Sequence, residues 1–107
     1  MSRGAAQYTT TFTVNSIGEP EPVTAHTECQ RITIKEDPSV SGWPTTDYLI
    51  TGSVPGSTPI RCPAGSEYIF EASSGANLIQ PFKVGTIVGY IETVTGSTTF
   101  QQKEDRK

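Results

Sequence analysis

The chain has 107 residues, a formal charge of −3 and a hydrophobic fraction of 34%, a length that suits one domain around a single core. That fraction lies below the roughly 45–50% (Gly included) usual for globular proteins, which predicts a thin core and much surface held by Thr and Ser, partly stabilised by neighbours. The 8 Lys and Arg residues stand against 11 Asp and Glu and are scattered singly before the C-terminal run, so nucleic acid is not expected as a partner; no run of 18 apolar residues offers a membrane span.

Met1-Ser2-Arg3-Gly4-Ala5-Ala6-Gln7 has a start Met and no apolar stretch of secretory length, which predicts a flexible arm over 1–7 and a soluble protein made in the cytoplasm. Threonine (16 residues), isoleucine (9) and valine (7) far outnumber leucine (2), and side chains stiff at Cβ favour strands. Tyr8 to Ile17 places Tyr8, Phe12 and Val14 on one face and Thr9, Thr11 and Thr13 on the other, a strand with one wet face. Gly18-Glu19-Pro20-Glu21-Pro22 breaks it, and a short strand is expected around Val23 to His26. Cys29 to Glu36 alternates with Ile32 and Ile34 inward and Arg31, Thr33 and Lys35 outward, stopping at Asp37-Pro38.

Ser39 to Thr46 reads as a loop carrying Trp43, the single tryptophan, and strand character returns at Asp47 to Ser53 with Tyr48, Leu49 and Ile50. Pro55-Gly56 is the usual pair of a type II turn, leading to the short run Ile60-Arg61-Cys62 and another turn at Pro63-Ala64-Gly65-Ser66. Glu67 to Ala72 alternates, with Tyr68 and Phe70 opposite Ile69. After the Ser73 to Asn77 loop, Leu78-Ile79-Gln80-Pro81 reads as an edge strand or an extended link. Phe82 to Thr95 is the longest apolar stretch, and Gly85 and Gly89 within it predict either a bent strand or two strands across a tight corner. A last strand over Ser97 to Gln102 precedes a solvated tail at 103–107. No stretch has helical spacing and no repeat is evident. The fold is therefore read as all-β: a single-domain antiparallel β-sandwich or jelly roll of about seven to eight strands over 8–102.

Chemistry finds little support. His26-Thr27-Glu28-Cys29 matches half of a zinc-deaminase signature, but Cys62 follows Arg61 and has no second cysteine three residues on. His26, Cys29 and Cys62 would supply three zinc ligands of four; a surface histidine is the plainer reading. No serine sits in a Gly-x-Ser-x-Gly elbow for His26 to serve. Glu67 and Glu71 share a strand face about 13 Å apart, too far for a paired acid and base. Gly52-Ser53-Val54-Pro55-Gly56 lacks the Lys and helix of a phosphate loop. No enzymatic activity, cofactor or metal is expected. The two cysteines read as buried thiols, with a Cys29–Cys62 bridge as the alternative for a protein working outside a cell.

Two features invite a binding interpretation. Trp43, with Tyr48, Asp37 and Asp47 nearby, has the makings of an aromatic platform for sugar, against the plainer role of folding over the core or sitting in a protein interface. Thr9, Thr11 and Thr13 would suit strand pairing across subunits, against an ordinary exposed sheet face.

The layout resembles the small all-β virion proteins of tailed bacteriophages, including head decoration (cement) proteins. The resembling parts are the early Thr-rich strand, the Cys29 to Lys35 strand followed by a Pro/Gly loop, Tyr48-Leu49-Ile50-Thr51-Gly52, Pro63 to Phe70 and the late Val84 to Val94 stretch. They span most of the chain as a pattern and contain no diagnostic residue. The resemblance implies a non-enzymatic structural protein, made in the host cytoplasm and located in the virion, that binds the major capsid protein, ties neighbouring coat subunits together and forms homo-oligomers on the particle. Tyr8, Thr9, Thr11 and Thr13 would be strand or arm contacts, and Trp43 and Tyr48 apolar anchors. The other expectations are a carbohydrate-binding or host-recognition β-sandwich, and another small head or tail protein.

Overall fold

The computed structural model describes residues 7–15, 18–37, 46–54, 56–72, 74–75 and 78–105, and no helix occurs among them. The strands are β1 (Gln7–Val14), β2 (Glu21–Thr24), β3 (Arg31–Glu36), β4 (Tyr48–Gly52), β5 (Ile60–Cys62), β6 (Glu67–Glu71), β7 (Ser74–Gly75), β8 (Leu78–Ile79), β9 (Ile87–Thr93) and β10 (Thr98–Asp105). One four-stranded sheet, A, has the order β1-β10-β3-β6, and a second, B, has the order β2-β9-β4-β5, while β7 and β8 form a separate hairpin. Every pairing is antiparallel. With that hairpin set aside, the two sheets take strands first-eighth-third-sixth and second-seventh-fourth-fifth, the interleaving of a jelly roll. The all-β sandwich reading is borne out.

Period-2 alternation sorts the side chains of sheet A. Across it, Tyr8, Glu104, Ile32 and Phe70 lie in one inward row, and Thr10, Gln102, Ile34 and Tyr68 in the next. The outward rows are Gln7, Asp105, Arg31 and Glu71, then Thr9, Lys103, Thr33 and Ile69. Sheet B supplies Val23, Tyr48, Ile50, Cys62, Val88 and Ile91 to the same buried cluster as Val14, Ile32, Ile34, Phe70 and Phe100 of sheet A, so the two sheets share one core. Ile32, Ile34, Ile50 and Ile91 are fully buried, each contributing about 1.5–3 kcal/mol through water exclusion. Tyr48 meets Phe100 edge-on across the sandwich at 5.2 Å between ring centres, and Phe12 stacks on Phe100 at 5.7 Å; offset and edge-on contacts suit the ring quadrupoles.

Two expectations about glycine are met in different ways. Lys83 to Thr86 is a turn closed by the Thr86 N–H to Lys83 O at 3.0 Å, and Gly85 supplies its φ of 89°, the left-handed residue a type II turn requires. Phe82 is joined to Cys29 by an isolated bridge, and a continuous strand begins only at Ile87. Its register against β2 slips between Val23 and Thr24, opposite Gly89 and Ile87, so Val88 is the extra residue of a bulge. A Cβ on Gly89 would lie 2.6 Å from Thr51 O and 2.7 Å from Phe70 Cε1; the bare backbone is what lets the Phe70 ring of sheet A approach sheet B.

The C-terminal boundary needs correction. Lys103-Glu104-Asp105 is the second half of β10, paired to β1 on one side and β3 on the other, not part of a solvated tail. Glu104 is fully buried. The charge run hides an alternation in which Lys103 and Asp105 point outward and Glu104 inward. The short second strand also starts earlier than expected, at Glu21, and accommodates Pro22 because β2 is an edge of sheet B.

Candidate binding surfaces

Glu104 organises the end of the sandwich where β2 leads into β3. Its carboxylate accepts the His26 N–H at 3.0–3.1 Å, the Thr27 N–H at 2.9 Å, the Thr27 hydroxyl at 2.7 Å and the Gln102 amide at 2.8 Å. Burial pushes this carboxyl up, but the Thr27 hydroxyl, the His26 N–H, the Gln102 amide and the Thr27 N–H outweigh it and hold the pKa below the ordinary value. Gln102 also donates to Thr24 O at 2.8 Å, tying β10 of sheet A to β2 of sheet B. This is a structural use of a charge: its donors are backbone and neighbouring side chains, and they fix the 24–27 connection.

Neither thiol is activated. Cys29 and Cys62 are buried and unbridged. Burial first, then the Glu104 charge, raises the Cys29 pKa to about 11, and burial raises that of Cys62, leaving both as thiols at neutral pH and poor nucleophiles. His26 is exposed, and no three His, Cys, Asp or Glu side chains gather as a ligand set among the described residues. Glu67 and Glu71 are both exposed on the outer face.

The residues expected to make contacts separate into three groups. Thr9, Thr11 and Thr13 are exposed on the outer face of β1, the edge strand of sheet A, and the Thr13 hydroxyl lies 3.0 Å from that of Thr99. Tyr8 stands on the opposite face of the strand, 42% exposed and tilted against the His26 ring at 5.9 Å. Tyr48 cannot be a surface anchor. It is 0% exposed, its hydroxyl donates to Ser66 O at 2.6 Å, and burial raises its pKa to about 12. The reason is parity: Tyr48 lies two residues from Ile50 and faces the core with it. Trp43 lies outside the described residues, so the aromatic platform has no described geometry. Asp47, placed beside it in that reading, instead accepts the Ala64 N–H at 2.9 Å and pairs with Arg61 at 2.9–3.0 Å. First the Ala64 N–H and then the Arg61 hydrogen bond hold its carboxyl below the ordinary value, and the contacts pin the β5–β6 turn to the start of β4.

Two further surface features lie outside those groups. An open cleft of about 200 Å³ runs between the β1 and β2 edges, with Thr10, Phe12, Thr24, His26 and Gln102 among its walls. On and beside sheet B, Val54, Val84, Ile60 and Ile87 are 68%, 67%, 50% and 40% exposed. They are spread over the sheet: Ile60 pairs with Ile50 on the edge strand β5, whereas Ile87 lies two residues beyond the Gly52–Gly89 pair on β9. The signal in the sequence was a β-branched aliphatic standing where turns ordinarily carry polar residues: Val54 opens the turn closed by the Ser57 N–H to Val54 O at 3.2 Å, and Val84 precedes Gly85.

No protein-family model matches the chain, and no curated protein is significantly similar to it. Among the described residues no helix is long and apolar enough to cross a membrane.

Proposed function

We propose that this chain is a non-enzymatic structural protein of a bacteriophage particle, which binds the major capsid protein on the capsid surface and ties neighbouring coat subunits together. The observation that carries the reading is the exposure of four aliphatic side chains, Val54, Ile60, Val84 and Ile87, on and beside sheet B. Val54 and Val84, aliphatic side chains standing two-thirds exposed in turns, offer apolar surface to a protein partner. Resemblance to phage head proteins supplies the particle. Repetition over a capsid lattice would turn modest contacts into firm attachment. The raised thiol pKa values and the structural engagement of Glu104 and Asp47 agree with a protein that does no chemistry.

The test is sedimentation of a lysate of the source culture on a density gradient, with every fraction probed by mass spectrometry. Co-migration with intact particles at a constant copy ratio is expected, and Val54→Asp with Val84→Asp should strip the protein from particles without changing its circular dichroism. Recovery only among soluble proteins would remove the capsid reading. A second reading, a carbohydrate-binding module, is favoured by the β1–β2 cleft, where Phe12 offers an apolar wall and Thr10, Thr24 and His26 offer polar ones. Saturable glycan binding lost in Thr24→Val would support it, and a flat titration across a broad glycan panel would remove it.

A further inference from the structure

We propose that the free edge of β1 is a self-pairing surface, through which two copies of this chain join antiparallel along Gln7–Val14 and extend sheet A into one continuous eight-stranded sheet. Each copy contributes four strands. This inference does not depend on the capsid reading.

The sandwich has four sheet edges, β1 and β6 in sheet A and β2 and β5 in sheet B, and three carry the devices that discourage strand addition. β2 is four residues long and contains Glu21 and Pro22. β5 has three residues, with Arg61 at its centre and Pro59 and Pro63 on either side. β6 is bounded by Glu67 and Glu71, both exposed. β1 has none of these. It runs eight residues, Gln-Tyr-Thr-Thr-Thr-Phe-Thr-Val, without charge or proline, and keeps an unbroken register with β10 from Gln7 to Val14. A long, regular, uncharged edge is what proteins ordinarily guard against unless something pairs with it. Among the described residues nothing lies in sheet A beyond β1.

The occupant argued for is a second copy because the strand is complementary to itself. A twofold axis at Thr11 sets Thr9 opposite Thr13 of the other copy and Thr11 opposite its own counterpart, so the outer face of the seam is a row of threonine pairs, a favourable cross-strand combination. On the inner face Tyr8, 42% exposed in the single chain, falls opposite Val14 of the other copy in register, and Thr10 opposite Phe12. No like charges face each other across this seam, and a twofold axis closes the contact at two copies.

Sedimentation equilibrium of the full chain over a concentration series reads the outcome. The wild-type protein should dimerise. Thr11→Lys, which sets two ammonium groups face to face at the axis, should weaken the dimer at least tenfold while circular dichroism and monomer melting stay unchanged. Ile69→Lys, on the outer face of the opposite edge strand, should leave dimerisation as it was. Should Thr11→Lys fail to fold, Thr11→Cys serves instead: with both native thiols buried, mild oxidation should give a covalent dimer. A wild-type protein that stays monomeric to its solubility limit overturns the proposal. So does a dimer that Thr11→Lys leaves intact or that Ile69→Lys weakens equally, a Thr11→Cys protein that yields no covalent dimer, or pairing of β1 only with a strand of a different protein.

Discussion

The two inner faces of the sandwich are built on different principles. Sheet B turns a nearly uniform apolar surface inward, with Val23, Ile50, Cys62, Val88 and Ile91 around Tyr48. Sheet A brings Glu36, Thr98, Gln102 and Glu104 indoors beside its isoleucines and Phe100. The Thr98 hydroxyl donates to Glu36 at 2.8 Å, and Glu104 is met by donors from the 26–27 turn and from Gln102. An apolar face specifies that something covers it, whereas a buried carboxylate specifies what and where, because a donor left without its acceptor costs more than a good bond contributes. Sheet B supplies most of the non-directional stabilisation, and sheet A supplies the directional contacts that fix how the β2–β3 connection seats.

If that contrast holds, the largest effect comes from breaking the polar side. Glu104→Ala should cost about 3–4 kcal/mol in chemical denaturation, leaving the His26 and Thr27 amides without their acceptor. Acid should act in the same direction. The folded-state pKa of Glu104 is depressed, so its stabilisation is complete above the ordinary carboxylate range and declines as pH falls through the folded-state value. The acid limb of the wild-type stability curve should therefore be steeper than that of Glu104→Gln, measured by denaturant midpoints at a series of pH values. Parallel limbs would place the acid sensitivity elsewhere.

Gly89→Ala probes where the faces meet, and a loss of about 2–3 kcal/mol is expected as Phe70 and the Thr51 carbonyl are forced away; a neutral outcome would mean the sandwich can spread there at little cost. On the apolar side, Tyr48→Phe removes one hydroxyl bond to Ser66 and keeps the ring, so a loss of about 1 kcal/mol is expected. The smallest effect concerns the cysteines. Neither should react with a thiol reagent until the protein unfolds, after which two equivalents should be counted; a single equivalent or none from unfolded, unreduced protein would contradict the free thiols.

Much of this architecture was legible because alternation survives in Tyr8 to Val14, Ile32 to Ile34 and Glu67 to Phe70, where apolar and polar residues trade places cleanly. The second half of β10 is not legible because Lys103-Glu104-Asp105 is charged at every position, and composition alone cannot separate an outward lysine from an inward glutamate whose donors come from residues 26 and 27. Tyr48 reads as a surface residue for a different reason. Its neighbour Asp47 and the preceding loop suggested a rim, while the two-residue spacing to Ile50 already placed it inside. The exposure of Thr9, Thr11 and Thr13 followed directly from parity. The guarded or unguarded status of an edge did not, since no sequence states which strands have a neighbour on one side only.

The placement of β10 bears on how the protein comes into being. It comes last in order among the described strands, yet it lies between β1 and β3. A nascent chain emerging from a ribosome can assemble β4, β5 and β9 while β1 and β3 wait with an empty slot between them. Sheet A acquires its middle only when β10 is available, a long-range insertion of the kind that places all-β folds among the slower topologies, on the order of milliseconds to seconds. During that wait the uncharged strand β1 is unpaired on both sides, the interval in which association with the wrong neighbour is easiest.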